Sequence, residues 1–501
     1  MSISTGSDSA SSAGPSMRPA FHFSVPDNWK NDPQRPVYLA GEYHYYYLYN
    51  GDYLAGGIGT SWRRATTRDQ VSFVDHGVAI EKFTNGNGDC WSGSLVVDAE
   101  DTAGFGAGAV IALVTQAQTD REPEGSQAQF LWYSIDGGRS FRPGGDDPVL
   151  AAPEITDFRD PKVIRDERRE RWFMVLAEGD RLGFYASADL QRWRRVGEYA
   201  RDDLGLLECP DIFEMTADDG SSHWVLGVSA NAKHRGLPAT YAYWTGSFDG
   251  SGFVPDAHEP RWLDWGFDFY GAVTYPHHDP SGREDPTLRH VIGWANFWDY
   301  PHNTPTVVTD GYNGDDMIVR DLRLVRGGDG YRLTATPTAA LDGYTTRTHR
   351  LGDQRVVGHL DLQVRASAYD LTCVIEWDGD AGDIGLEVCR TLGGTRFVAA
   401  GLKPADAVAY LDRTMTANPT SGRTQAPFAP EQRRAAIRLL VDRTSVELFV
   451  GDGLTAQSHR VFPFAGDDGI RLYARGSAAV FRDVTIRELS VQHGRNAQSG
   501  R

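Results

Sequence analysis

The stretch Asn28-Trp29-Lys30-Asn31-Asp32-Pro33-Gln34-Arg35-Pro36 follows a leader rich in Ser, Gly and Ala and precedes the aromatic run Tyr43–Tyr49. An aspartate between asparagine and proline is turn-forming chemistry, and such a turn can fix a carboxylate at the mouth of a strand. Alone, Asn-Asp-Pro reads as an Asx-type turn closing a loop. Two later segments change that reading. Arg159-Asp160-Pro161 and Glu208-Cys209-Pro210-Asp211 set two more carboxylates in proline-terminated contexts. Three acids so placed point to sugar chemistry.

Around these motifs helical periodicity is nearly absent, and short β-rich runs recur: His44–Tyr49, Val110–Thr115, Trp172–Leu176, Trp224–Val228 and His290–Trp294. A Ser/Thr-x-Asp turn followed closely by an aromatic repeats at Asp69/Phe73, Asp136/Phe141, Asp189/Trp193 and Asp249/Phe253. That repeat is long for one four-stranded propeller blade, but blade loops absorb the excess. Asp32, Trp91, Asp160 and Glu208 each precede one of these turns and so fall early in their blades. The early strand of a blade lines the central channel, so the acids are expected to converge on one axial pocket. Asp264–Tyr270 with Trp294–Trp298 supplies a fifth unit. The expected fold is all-β, a five-bladed propeller followed by a C-terminal β-sandwich. The sandwich is read from the hairpin Ile437–Val441, Asp442-Arg443-Thr444-Ser445, Val446–Val450 and from the strands Gly469–Tyr473 and Val480–Ile486. The domain reading is a tail at 1–20, the propeller at 21–335, a linker at 336–350, the sandwich at 351–490 and a tail at 491–501.

A net charge of −18 argues against nucleic acid or an anionic membrane as partner, because both need a basic face. The 13 Trp and 21 Tyr suit a neutral sugar polymer, whose apolar ring faces stack on flat side chains. No apolar run approaches the roughly 18–20 residues of a membrane span. Met1–Met17 lacks an apolar signal core and reads as a flexible tail or the remnant of a processed targeting segment. A secreted location is expected, with the cytoplasm as alternative. Cys90, Cys209, Cys373 and Cys389 have no metal-ligand spacing; Cys373 and Cys389 are read as buried thiols, with pairing across strands as the alternative. His277-His278-Asp279-Pro280 reads as a solvated loop, since no third ligand stands at helical or hairpin spacing. Gly104–Gly108 reads as a blade turn. No metal and no cofactor are expected.

Cleaving a glycosidic bond with retention needs two carboxyl groups in opposed roles, one ionised to attack and one protonated to release the leaving oxygen. Asp32, among turn donors, is read as a low-pKa nucleophile. Glu208, beside Leu207 and Cys209-Pro210, is read as an acid whose pKa is raised by a drier setting. Asp160, beside Arg159, would stay ionised and hold sugar hydroxyls.

Trp29–Pro33, Trp91-Ser92-Gly93-Ser94, Phe158–Pro161, Glu208–Asp211 and Val441–Glu447, in that order, resemble glycoside hydrolase family 32, which includes invertases, inulinases and levanases. The resemblance runs from about Phe21 to Leu489. It implies a propeller and sandwich, retaining chemistry on β-fructofuranosides, and no metal. It also implies Asp32 as nucleophile, Asp160 as transition-state stabiliser and Glu208 as acid/base. Asn31, Trp62, Trp91, Ser92, Arg159 and Asp268 match positions that line the fructose pocket in relatives, and Trp294 is a further candidate. Gln34-Arg35-Pro36 replaces the usual Asn-Gly continuation, and Leu48 stands where a Gln is usual, which would make the pocket drier. With Trp262-Leu263-Asp264-Trp265-Gly266, these departures resemble a levan-active branch that includes levan fructotransferase, whereas Trp29 and Asn31 keep the hydrolase pattern. The expected substrate is a fructan, levan (β-2,6) before inulin, with fructose or short levan oligosaccharides released. The alternatives are cyclising transfer to a difructose anhydride and a non-catalytic sugar-binding propeller, which would not need all three acids. Trp265 and Trp298 are open between blade core and sugar platform, and Asp442–Glu447 reads as structural.

Overall fold

Period-two alternation in Tyr43–Tyr49 produces a strand buried on both faces. Tyr45 and Tyr47 join Phe23, Phe73, Val273 and Tyr275 in one core, while Tyr46 and Leu48 join Trp62, Val114 and Trp132 in another. This strand is the second of a blade, and its two faces pack on the blades before and after it. The computed structural model describes residues 16–118, 126–379, 381–416, 419–429 and 433–495. Five antiparallel sheets form the propeller, and their first strands are Asn28–Leu39, Asp89–Asp98, Arg159–Asp166, Leu207–Thr216 and Tyr270–His278. These five strands touch one another in a ring around the axis. The Ser/Thr-x-Asp turns join the third strand to the fourth in blades 1–4: Asp69, Asp136, Asp189 and Asp249 each accept backbone N–H groups two to four residues on.

Two pairings close the ring. Tyr312–Asn313, inside a long excursion between the second and third strands of blade 5, runs parallel to Asn28–Trp29 of blade 1. Gly494–Arg495 runs parallel to Val74–Asp75 on the outer strand of blade 1. The segment read as a C-terminal tail therefore returns to the propeller as far as Arg495, and 496–501 lie outside the described residues. At the other end 1–15 lie outside them as well, whereas the Arg18 guanidinium packs over the Tyr312 ring at 4.0 Å. The stretch read as a linker is a 3-10 helix, Ala339–Tyr344, leading into the strand Thr345–Arg365.

The second domain is a single ten-stranded sheet folded over on itself. Its strand Gly469–Leu489 is 21 residues long and serves both layers, pairing with Asp383–Arg390 at its start and Tyr369–Trp377 at its end. Cys373 and Cys389 are separate buried thiols in its core.

A buried polar seam joins the domains. His22, ahead of blade 1, bonds through Nδ1 to Asp442 (2.9 Å) and through Nε2 to Glu447 (2.8 Å). Asp442 also accepts the backbone N–H groups of Ala20 and Phe21. Glu447 pairs with Arg320 (2.8 Å), which reaches Asp264 (2.8 Å). Gly266 lies against the Ser458 backbone, where a Cβ would sit 2.1 Å from the Ser458 carbonyl oxygen, so no larger residue fits. Burial opposes the charge on His22, but the two carboxylates outweigh it and raise its pKa to about 9. Asp442 and Glu447 are held below their ordinary values despite burial, by His22 and Arg320.

The sign follows. The contribution of His22 is complete below its ordinary value of 6.5 and is lost as pH rises through about 9. Those of Asp442 and Glu447 are present above the ordinary carboxylate range and are lost in acid. His22→Ala should therefore cost about 3–5 kcal/mol near pH 6, the cost of breaking a buried charge pair. The deficit should shrink toward pH 9. Denaturant unfolding at the two pH values checks this, and a pH-independent deficit would contradict it.

Candidate active site

All five inner strands carry the same irregularity. In each, two residues oppose one on the neighbouring strand: Asn31-Asp32, Trp91-Ser92, Asp160-Pro161, Cys209-Pro210 and Gly271-Ala272. A β-bulge bends its strand and re-aims side chains, and it leaves one residue out of the ladder, where the missing N–H of a proline costs nothing. Pro161 and Pro210 occupy such bulges, whereas Pro33 follows the bulge of blade 1 and pairs with Tyr47. Asp160 (φ 63°), Cys209 (φ 49°) and Gly271 (φ 57°) are left-handed there.

The bulges open on a cavity of about 820 Å3 at one end of the axis. Asp32, Asp160 and Glu208 all line it, with Asn31, Trp91, Ser92 and Arg159. Asp32 Oδ2 accepts from the Ser92 hydroxyl (2.9 Å), and Oδ1 has no donor among the described protein groups. Asp160 Oδ2 accepts from the Cys209 N–H (2.9 Å), while its own N–H donates to Thr115 (3.0 Å). The Cys209 thiol, kept neutral by burial, lies 3.6 Å from Asp160 Oδ2 and 3.8 Å from Asp32 Oδ2. Glu208 Oε1 accepts from Arg159 Nη2 (3.0 Å), and Oε2 lies 2.5 Å from the Tyr270 hydroxyl. Arg159 is clamped in turn by Asp157 (2.5 Å) and faces the Trp91 ring.

Burial and the charges of Asp160 and Glu208 raise the Asp32 pKa to about 7, against the Ser92 hydrogen bond and the Lys30 charge. The low value expected from turn donors is thus corrected: the Ser92 hydroxyl and, at longer range, the Cys209 thiol reach Asp32, and burial outweighs them. Glu208 is also raised, by burial first, with Arg159 opposing. Crowded carboxylates cannot all ionise in a dry site, so the cluster retains a proton near neutrality. The Tyr270 oxygen can accept from a protonated Glu208 as well as donate to an ionised one.

Three other expected pocket residues do not line the cavity. Trp62 is fully buried between blades 1 and 2 and donates its indole N–H to the Trp91 carbonyl (2.9 Å). Trp294 is fully buried against Trp29 and Tyr270. Asp268 is buried in an ion pair with Arg413 of the sandwich (2.7 Å). Trp298, 43% exposed, lines the cavity, whereas Trp265 packs on the core of blades 3 and 4. Leu48 does contribute an apolar patch to the wall. Tyr270 was missed as a site residue, although its place opening the fifth inner strand marked it. Gln127 and Asn231, also on the wall, carry no local motif.

The N-terminal domain of the glycosyl hydrolases family 32 matches residues 22–337, and the C-terminal domain of that family matches residues 339–488. The chain belongs to glycosyl hydrolase family 32. It is 43% identical to the levanbiose-producing levanase of Bacillus subtilis (strain 168), over 96% of this chain and 92% of that protein. It is likewise 43% identical to the levanbiose-producing levanase of Geobacillus stearothermophilus, over 79% of this chain and all of that protein. Among solved structures, the exo-inulinase of Aspergillus awamori superposes with a TM-score of 0.84 at 26% identity, covering 96% of this chain and 99% of that one. As a member of this family the protein is a glycoside hydrolase with a two-domain all-β fold.

In this family setting the acid cluster makes a testable statement about pH. Ser92 favours the ionised form of Asp32, so Ser92→Ala should move the acidic limb of kcat/KM from about 7 to higher pH. An unmoved limb in the pH–rate profile would dissociate Asp32 from it.

Proposed function

We propose that the protein is a retaining fructan β-fructosidase that prefers the β-2,6 linkages of levan and releases levanbiose. The observation that carries the reading is the convergence of Asp32, Asp160 and Glu208 from three inner strands on one cavity. In the first step Asp32 Oδ1 attacks the anomeric carbon of the fructosyl unit. The bond to the leaving oxygen breaks, and Glu208 protonates that oxygen. Asp160, anchored by the Cys209 N–H, holds sugar hydroxyls as positive charge grows on the ring. In the second step ionised Glu208 takes a proton from water, the water oxygen bonds to the anomeric carbon, and Asp32 departs. Arg159 and Tyr270 fix Glu208 for both transfers. Levan and levanbiose are favoured by two relatives so named, each 43% identical to this chain. A cavity of about 820 Å3 has room for more than one fructosyl unit. Action outside the cell is part of the proposal: levan is a polymer, and the family includes an extracellular exo-inulinase of Aspergillus niger. Activity in cell-free culture fluid tests that part.

Asp32→Asn should lower turnover on levan at least ~10³-fold while leaving the fold intact. Glu208→Gln should slow levan but spare the first step on fructosides whose leaving group needs no proton, seen as a rapid burst of leaving group before slow turnover. A burst slowed as much as levan cleavage would refute its role as the acid. Chromatography of levan digests should show levanbiose, with one new reducing end per cleavage. A non-reducing difructose anhydride as main product would overturn hydrolysis and leave the carboxylate roles standing.

A further inference from the structure

The loop between the second and third strands of blade 5 places Phe297, Trp298 and His302 on the cavity wall. Trp298 and His302 are exposed, and the His302 ring packs 4.7 Å from the Trp29 ring and bonds through Nδ1 to the Tyr53 hydroxyl (3.1 Å). Within itself the loop is held by the turn bonds Tyr300 N–H to Phe297 O (3.2 Å) and Asn303 N–H to Tyr300 O (3.2 Å), and by the Asn296 and Asn313 amides, which both donate to the Pro301 carbonyl (3.2 and 3.0 Å). Neighbouring elements fix it further from both sides. On one side Lys233 of blade 4 pairs with Asp299 (2.5 Å) and lies over the Phe297 ring.

On the other side stands the second domain. Arg460 donates through Nη2 to the carbonyls of Tyr300 (3.3 Å) and Asn303 (3.2 Å). Arg413 donates through Nη2 to the Tyr300 hydroxyl (3.2 Å) and through Nη1 to Asp268 (2.7 Å). Asp268 completes the hub by accepting from the Tyr300 hydroxyl (2.8 Å) and from the Arg460 N–H (2.7 Å). Arg413 is 1% exposed at its side chain and Asp268 is fully buried, so the bridge cannot swing aside without stranding a charge.

We propose that the β-sandwich, through Arg413 and Arg460 acting on Tyr300 and Asp268, positions the aromatic wall against which the fructan chain lies and thereby sets discrimination by chain length. The inference rests on the fructan-cleaving function proposed above. It makes Asp268 a positioning residue that acts through Tyr300 and not a contact to the sugar. The three acids stand on inner strands, and among the described residues the hub's link to them is Tyr270, whose ring meets Phe297 and whose hydroxyl bonds Glu208. The Tyr270 backbone is itself held in the inner-strand ladder. Loss of the hub should therefore act on binding of long chains and leave the bond-breaking step alone.

Tyr300→Phe removes one hydroxyl from the hub and keeps the ring; Arg413→Gln removes the bridge. In the purified full-length chain, KM and kcat are measured on levan and on levantriose. Tyr300→Phe should raise KM for levan about 3- to 10-fold, the range set by one or two hydrogen bonds. KM for levantriose should change less, and kcat on both substrates should stay within about twofold. Arg413→Gln should exceed it in the same direction. An unchanged KM for levan in Tyr300→Phe, or equal changes on both substrates, would overturn the proposal even if Arg413→Gln failed to fold. A wild-type chain inert on levan would overturn the proposed function and this inference with it.

Discussion

Around the propeller axis one guanidinium does what no ladder can. Bulged inner strands leave carbonyl oxygens without ladder partners, and a buried carbonyl needs a donor. Arg35 of blade 1 supplies donors to three: Gly93 of blade 2 (2.7 Å), Pro161 of blade 3 (3.2 Å) and Pro210 of blade 4. It is aimed there by a second register shift in the same strand, between Gln34 and Val37. Gln34 adds bonds to the Gly93 N–H (2.7 Å) and the Ser92 hydroxyl (3.2 Å). Deeper along the axis Lys162 of blade 3 pairs with Asp211 of blade 4 (3.0 Å), and Asp211 accepts from Thr274 of blade 5 (2.7 Å). All five blades are tied at their inner ends, and the tied residues Gly93, Pro161 and Pro210 adjoin Ser92, Asp160 and Cys209. The site's geometry is thus a property of the axis, set by the residues beneath it.

The electrostatics of the site are set by the groups around the acids themselves. Two cations stand beside the acids and offset part of their charge: Arg159 on Glu208, and Lys30, paired with Asp316, near Asp32. Asp32 itself keeps one oxygen clear of donors among the described residues. Asp32 so placed is not held back by a strong ion pair, and its raised pKa reflects burial first and then repulsion from Asp160 and Glu208. Charge developing on a bound sugar ring would relieve that repulsion, which is how a crowded ground state can favour the transition state.

What was legible in the sequence was whatever is local. Bulge motifs named the three acids, and the Ser/Thr-x-Asp turns named four of the five blades. Trp62, Trp294 and Asp268 were not legible as core and seam, because residue type alone does not tell a Trp facing a cavity from one packed between blades. Asp268 and its partner Arg413 are far apart in the chain, and nothing near either marks the pairing. The return of Val491–Arg495 to blade 1 was hidden likewise: two residues of parallel pairing leave no periodic trace. Trp262–Gly266 misled differently. Asp264 and Gly266 lie in the interdomain seam, where Asp264 bonds Ser458 and Arg320. Gln34 and Arg35 are the axial floor. Neither departure that suggested levan reaches the cavity, apart from the wall residue Leu48.

Linkage preference therefore has to be written elsewhere. Strands and bulges deliver the acids, the axial Arg35 fixes their spacing, and neither senses which hydroxyl of the neighbouring sugar is linked. The parts of the wall that can sense it are loops: Tyr53–Thr60 between strands of blade 1, Asp157 and Leu206 at the approaches to blades 3 and 4, and Phe297–His302 from blade 5. Loops tolerate change that inner strands do not, because their backbone is not tied into the ring. A family can thus hold its chemistry constant while product and linkage vary, and the second domain takes part in that division through the Phe297–His302 loop.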